Sequence, residues 1–125
     1  MPSPVRETRQ RTAIRNALET QRRPLKPKEI LEYAQLECKG LGIATVYRNL
    51  HTMVDEGTLE VIDIPGLTTC YCIPRKTKQP ILVCRQTGEM HWLDSKPVNV
   101  ELDHLPPQFE YAGHEIIVYG HFRSE

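Results

Sequence analysis

The sequence predicts an α+β chain, an N-terminal winged helix-turn-helix domain followed by a small α/β domain. Three observations predict it. Three amphipathic helical patterns precede Gly57, two strand-like runs then flank the turn signal Pro65-Gly66-Leu67, and short strand patterns alternate with polar turns beyond Pro80.

The first helix is expected from about Arg6 to Gln21, with Ile14, Ala17 and Leu18 turned inward. The second begins at Pro27, where a missing N–H costs nothing in a first turn, and buries Ile30, Leu31 and Ala34. Gly40 and Gly42 supply a turn and an N-cap for the third helix, and Gly57 stands where a left-handed residue ends it. Three helices with a short turn before the third make a helix-turn-helix. Thr58 to Ile64 and Thr68 to Ile73 form the hairpin of a wing. Pro74 to Pro80 is polar, lacks apolar periodicity and is bounded by prolines, which marks a linker. Past it, Ile81 to Cys84 and Glu89 to Leu93 read as strands, and Val98 to Leu105 as a short helix stopped by Pro106-Pro107. Tyr111 to Phe122, with the run Ile116-Ile117-Val118-Tyr119, is the expected central strand.

The third helix has two faces. At about 100° per residue, Ile43, Val46, Leu50, Met53 and Val54 gather into one apolar sector with Tyr47 at its edge. Ala44, Thr45, Arg48, Asn49 and Thr52 fall on the remaining arc, where short side chains permit close approach and Arg48 offers a planar fork of donors. Such an arc suits the major groove of DNA. The plain alternative is a helix whose polar arc faces water. Charge favours the groove: residues 1–50 carry ten Lys/Arg against five Glu, and residues 51–125 six against eleven, so the zero net charge is +5 followed by −5. Arg11, Arg15 and Arg22 share one side of the first helix, as phosphate contacts would.

The chain resembles the ferric uptake regulator family of bacterial metal- and peroxide-sensing repressors. The resemblance rests on Thr8-Arg9-Gln10-Arg11 with Ile14 and Leu18, Ile43 to Leu50, Glu56-Gly57, Gly66 with Tyr71, Val83-Cys84 with Gly88, His114 and Val118-Tyr119-Gly120. It implies a winged-helix DNA-binding domain (1–74), a hinge (75–80) and an α/β dimerisation domain (81–125). It also implies that Tyr47 and Arg48 approach DNA and that Arg11 matches a first-helix arginine. The DNA-contact candidates are therefore Arg6, Arg9, Arg11, Arg15, Ala44, Thr45, Tyr47, Arg48 and Thr52.

The departures from that family concern metal. The resemblance implies zinc or iron as the default effector, yet Pro24 stands where a ligand His is expected, Cys72 replaces a Glu, and Lys76 to Ile81 replaces a His-rich segment. Lysine and proline do not ligate divalent cations under these conditions. Cys84 lacks its CxxC partner because Thr87 holds that place, and no second pair follows Gly120. Cys70, Cys72, Cys84, His91, Glu101 and His114 remain as weak candidates, so no metal cofactor is expected. Cys70 and Cys72 share one strand face, and Cys84 offers a third sulfur; buried reduced thiols are the simpler reading. His114 reads more simply as a strand histidine bonded to backbone or carboxylate.

No phosphate loop, nucleophile elbow or paired carboxylates are found, which excludes the common enzyme classes. No leader-like or membrane-length apolar stretch occurs, so a cytoplasmic location is expected. The leading expectation is a homodimeric, metal-independent transcriptional regulator on a near-palindromic duplex operator. Its rivals are a metal or thiol sensor with atypical ligands, and a winged-helix protein-interaction module that does not touch DNA.

Overall fold

The structure, a computed structural model, describes residues 4–77, 79–94, 98 and 100–123, with side chains from Thr8 onward. Three helices come first: α1 (Pro4–Gln21), α2 (Pro27–Ala34) and α3 (Ile43–Asp55). A hairpin follows, β1 (Glu60–Ile62) and β2 (Cys70–Cys72), then β3 (Ile81–Cys84), β4 (Met90–Trp92) and β5 (Ile117–Gly120). Together they form an α+β chain with an N-terminal helix-turn-helix and a small sheet-bearing unit behind it.

The helices cohere because their apolar stripes converge. Ile14 and Leu18 of α1, Ile30 of α2, and Val46 and Leu50 of α3 are each at or below 2% exposure. At about 1.5–3 kcal/mol for each large aliphatic side chain taken out of water, this cluster is the main stabilising term of the module. Leu25 joins it and exchanges both backbone hydrogen bonds with Tyr71 (2.9 and 2.8 Å), which fastens the hairpin to the chain between α1 and α2. Helix α1 ends where Arg22 turns left-handed, at φ 54°. Gly57, at φ 80°, ends α3 by the same device without a Cβ penalty.

A second core sits where the hairpin meets the following strands. Ile64 and Cys70 from the hairpin pack with Val83 of β3 and Met90 of β4. In the three-stranded sheet β3 is the middle strand, antiparallel to β4 and parallel to β5.

Three expectations need correction. Ile43, placed inward by the helical wheel, is 38% exposed, because as the first residue of α3 it extends past the packed stripe. No helix occupies the described positions between Val98 and Leu105, all of them exposed, and the left-handed backbone of His104 (φ 62°) interrupts any helical path. The strand expected from Tyr111 to Phe122 is shorter, Ile117–Gly120, and it flanks β3 rather than lying centrally. Gly113, at φ 142°, breaks the extended run before it.

Candidate nucleic-acid interface

Helix α3 buries Val46, Leu50 and Met53 and turns Ala44, Tyr47, Arg48 and Thr52 to solvent. On that arc the polar groups are ordered by the helix itself. Arg48 Nη2 donates to Thr45 Oγ1 at 3.0 Å, Asn49 Nδ2 donates to the Thr45 carbonyl at 2.9 Å, and the Thr52 hydroxyl donates to the Arg48 carbonyl at 3.0 Å. Thr52 thus spends its single donor on its own helix. Arg48 keeps donors beyond the one held by Thr45, so it is the group on this arc best equipped to read a base edge or a phosphate. Tyr47, 44% exposed, borders the arc on the side of the hairpin, where Tyr71 is buried. Burial, followed by the charges of Tyr47 and Asp63, pushes the Tyr71 phenol above its ordinary range.

The first-helix arginines are placed variously. Arg11 is held by Glu56 and Arg15 by Glu19, both at 3.0 Å. Arg9 is exposed and lines an open groove of about 470 Å³ with Cys38 and Lys39. Arg22 lies beyond the end of α1, so it does not continue the row of Arg11 and Arg15. The Arg6 side chain is outside the described residues.

Two features of this region escape sequence reasoning. Glu56 follows Thr52 by four residues and so shares its arc, a position the helical wheel does reveal once extended past Asp55. Arg23, at 9% exposure the one buried charged side chain among the described residues, has no sequence signature. It lies between Glu29 and Glu89. Burial alone would lower its pKa, but the hydrogen bond and charge of Glu29, backed by Glu89, outweigh that and raise it.

The six weak metal candidates do not come together. Among the described residues no three His, Cys, Asp or Glu side chains are grouped as a cation would need. Cys70 and Cys72 lie on β2, where burial pushes their thiols up to about 11 and about 12, the charges of Glu29 and Glu60 respectively adding to it. Cys84 differs. It is only 2% exposed, yet the Thr87 hydroxyl and the backbone N–H groups of Phe122, Thr87 and Gln86 donate to its sulfur and bring the thiol down to about 7. Thr87, three residues on, thus serves the sulfur directly. His91 is 2.8 Å from Glu89 and stacks edge-on against Phe122, while Glu101 is exposed and His114 is hydrogen-bonded to the Tyr111 hydroxyl. The donor set therefore does not fit a divalent cation held in the family's manner.

Comparison with known proteins identifies the family and the fold. The family model described as the ferric uptake regulator family matches residues 3–119. The zinc uptake regulation protein of Mycobacterium tuberculosis is 27% identical over 121 residues, which cover 93% of this chain and 91% of that relative. The fold is similar to that of the Campylobacter jejuni peroxide stress regulator, with a TM-score of 0.62 at 21% identity over 97% of this chain and 91% of that one. It is likewise similar to the Vibrio cholerae ferric uptake regulator, with a TM-score of 0.63 at 21% identity over 90% and 88%. The chain belongs to the ferric uptake regulator family, whose members are DNA-binding transcription regulators and not enzymes.

Proposed function

We propose that this protein is a homodimeric, sequence-specific DNA-binding transcriptional regulator that acts without a metal effector. The observation that carries the reading is the exposed arc of α3, on which Arg48 is steadied by Thr45 and directed away from the core. Ala44 and Thr45 are small enough for the helix to enter a major groove, where Arg48 and Tyr47 would meet bases or phosphates and Thr52 a base edge, through its methyl group or hydroxyl lone pairs. Arg6, Arg9, Arg11 and Arg15 would add phosphate contacts from α1. The recognition module would span residues 1–74, with 75–80 as hinge and 81–125 as the dimerisation domain.

Dimerisation is supported by apolar side chains left in solvent across the C-terminal unit. Leu102, Phe109, Tyr111, Val118, Tyr119 and Phe122 are 43–58% exposed. A face of that kind suits a second copy of the chain. Two recognition helices would then address successive grooves of a near-palindromic site. Metal independence is supported by the ligand chemistry: lysine and proline stand in the hinge, Glu101 and His114 lie in irregular exposed chain, and among the described residues no three donor side chains are grouped. No helix among the described residues is long and apolar enough to cross a membrane, which accords with a regulator acting on DNA in the cytoplasm.

The test is selection of bound duplexes from a random pool, with and without added zinc. Enrichment of one two-part motif under both conditions is expected. Enrichment only with zinc would point to a sensor with atypical ligands, and no binding at low salt would point to a protein-interaction module.

A further inference from the structure

Arg23 stands where the helical module meets the β3–β4 hairpin, and its partners come from both sides of that seam. Nη2 donates to Glu29 Oε2 of α2 at 2.5 Å and lies 3.8 Å from Glu89 Oε1, just ahead of β4. Nη1 donates to the Pro24 carbonyl at 3.3 Å. Both carboxylates are themselves fixed. Glu29 Oε1 accepts the backbone N–H of Lys26 at 3.1 Å, which caps α2, and Glu89 Oε2 lies 2.8 Å from His91 Nε2. Beside this, Lys26 Nζ donates to the Thr87 carbonyl at 2.7 Å, so a second cation crosses to the same hairpin.

The apolar contacts at the seam do not define an angle by themselves. Met90 and Val83 against Cys70 and Ile64 form a small cluster that tolerates sliding, since hydrophobic attraction has no direction. The hydrogen bond from Lys26 to the Thr87 carbonyl does have one, and the Arg23 charge between two carboxylates adds to it. Charges withdrawn from water add little net stability, but they penalise every arrangement that leaves one of them unpaired. Helix α2 packs directly on α3, so whatever fixes α2 against the hairpin also fixes the recognition helix against the sheet.

Resting on the dimeric DNA-binding reading above, we propose that Arg23 and Glu89 are positioning residues for DNA recognition. They lock the angle between the recognition module and the dimerisation sheet, and thereby set the half-site spacing that the dimer accepts. The contacts that carry this are polar, the Arg23–Glu89 ion pair at 3.8 Å and the directional Lys26–Thr87 hydrogen bond at 2.7 Å, and they belong to no group of metal ligands among the described residues. Half-site separation in a two-fold site mirrors the distance between recognition helices, so a loosened seam appears as relaxed spacing rather than altered base preference.

The test compares wild type, Glu89→Gln and Glu89→Asp, each selecting bound duplexes from one random pool whose half-site spacings are read by sequencing. Glu89 is half-buried, so the Gln variant retains the fold, which a thermal melt checks. The wild type should return paired half-sites at one dominant spacing. Glu89→Gln should return the same half-site over several spacings, with Glu89→Asp closer to wild type. Lys26→Ala should broaden spacing in the same direction. An unchanged spacing distribution in Glu89→Gln, or an equal loss of recovery at every spacing, would overturn the lock while leaving DNA reading intact. A wild type that returns no paired motif would overturn the dimeric reading and the lock with it.

Discussion

Arg11 of α1 and Glu56 at the end of α3 hold each other through two parallel hydrogen bonds, both 3.0 Å long. The side chains are 39% and 44% exposed, so the pair adds no more than about 1 kcal/mol to stability. Its consequence concerns DNA. Glu56 shares the arc of Thr52, and its carboxylate competes with a phosphate for the Arg11 guanidinium. Replacing Glu56 by Gln should therefore strengthen binding to mixed-sequence duplex and steepen the dependence of log affinity on log salt by about one unit. A salt slope identical to wild type would show that Arg11 does not reach the backbone.

Arg48 is the sharper test of base reading. Arg48→Ala should weaken binding to the selected duplex by roughly 1–3 kcal/mol if the guanidinium makes a bidentate base contact. Titration against selected and random duplexes distinguishes the roles, since an equal loss on both would assign Arg48 to phosphate.

The thiols should titrate far apart. Absorbance at 240 nm should show one thiolate forming near pH 7, lost in Cys84→Ser, while Cys70 and Cys72 stay protonated to about 11 and about 12. The Cys84 thiol is lowered from its ordinary 9.0, so its contribution to stability is fully present above pH 9 and fades as pH falls through about 7. Cys70 and Cys72 act oppositely, destabilising the fold only above pH 9. A single common titration near 9 would contradict the hydrogen-bonded setting of Cys84.

Glu29 and Glu89 should separate in urea denaturation. Glu29→Gln leaves the buried Arg23 short of its closest counter-charge and should cost about 3 kcal/mol. Glu89 is depressed below its ordinary 4.5, first by the His91 hydrogen bond and then by the Arg23 charge. Its contribution is present above that pH and is lost as pH falls below it, so wild type should lose stability in acid faster than Glu89→Gln. Parallel acid profiles for the two proteins would contradict this.

The helical module is legible in the sequence because its signals are local: apolar residues at helical spacing, Pro27 opening α2 and Gly57 closing α3. The hairpin is legible from Pro65-Gly66 between two alternating runs. The C-terminal unit reads less well. Val98 to Leu105 carries apolar residues that suit a helix, but its described positions stay exposed and turn left-handed at His104, and what covers a segment is set by tertiary packing rather than by local spacing. Sheet order fails for the same reason, since the position of β5 beside β3 depends on pairing across a long stretch of chain. At the interface, the arc of α3 follows from periodicity alone. Arg23 does not, because its two carboxylates arrive from α2 and from a later hairpin, and no spacing rule links them.

The most direct measurement is titration of a selected duplex with protein dialysed against a chelator, repeated after stoichiometric zinc. Unchanged affinity, abolished in both conditions by Arg48→Ala together with Tyr47→Ala, is the expected result. Binding that appears only once zinc is added, or that survives the loss of both side chains, would contradict a metal-free regulator reading DNA through α3.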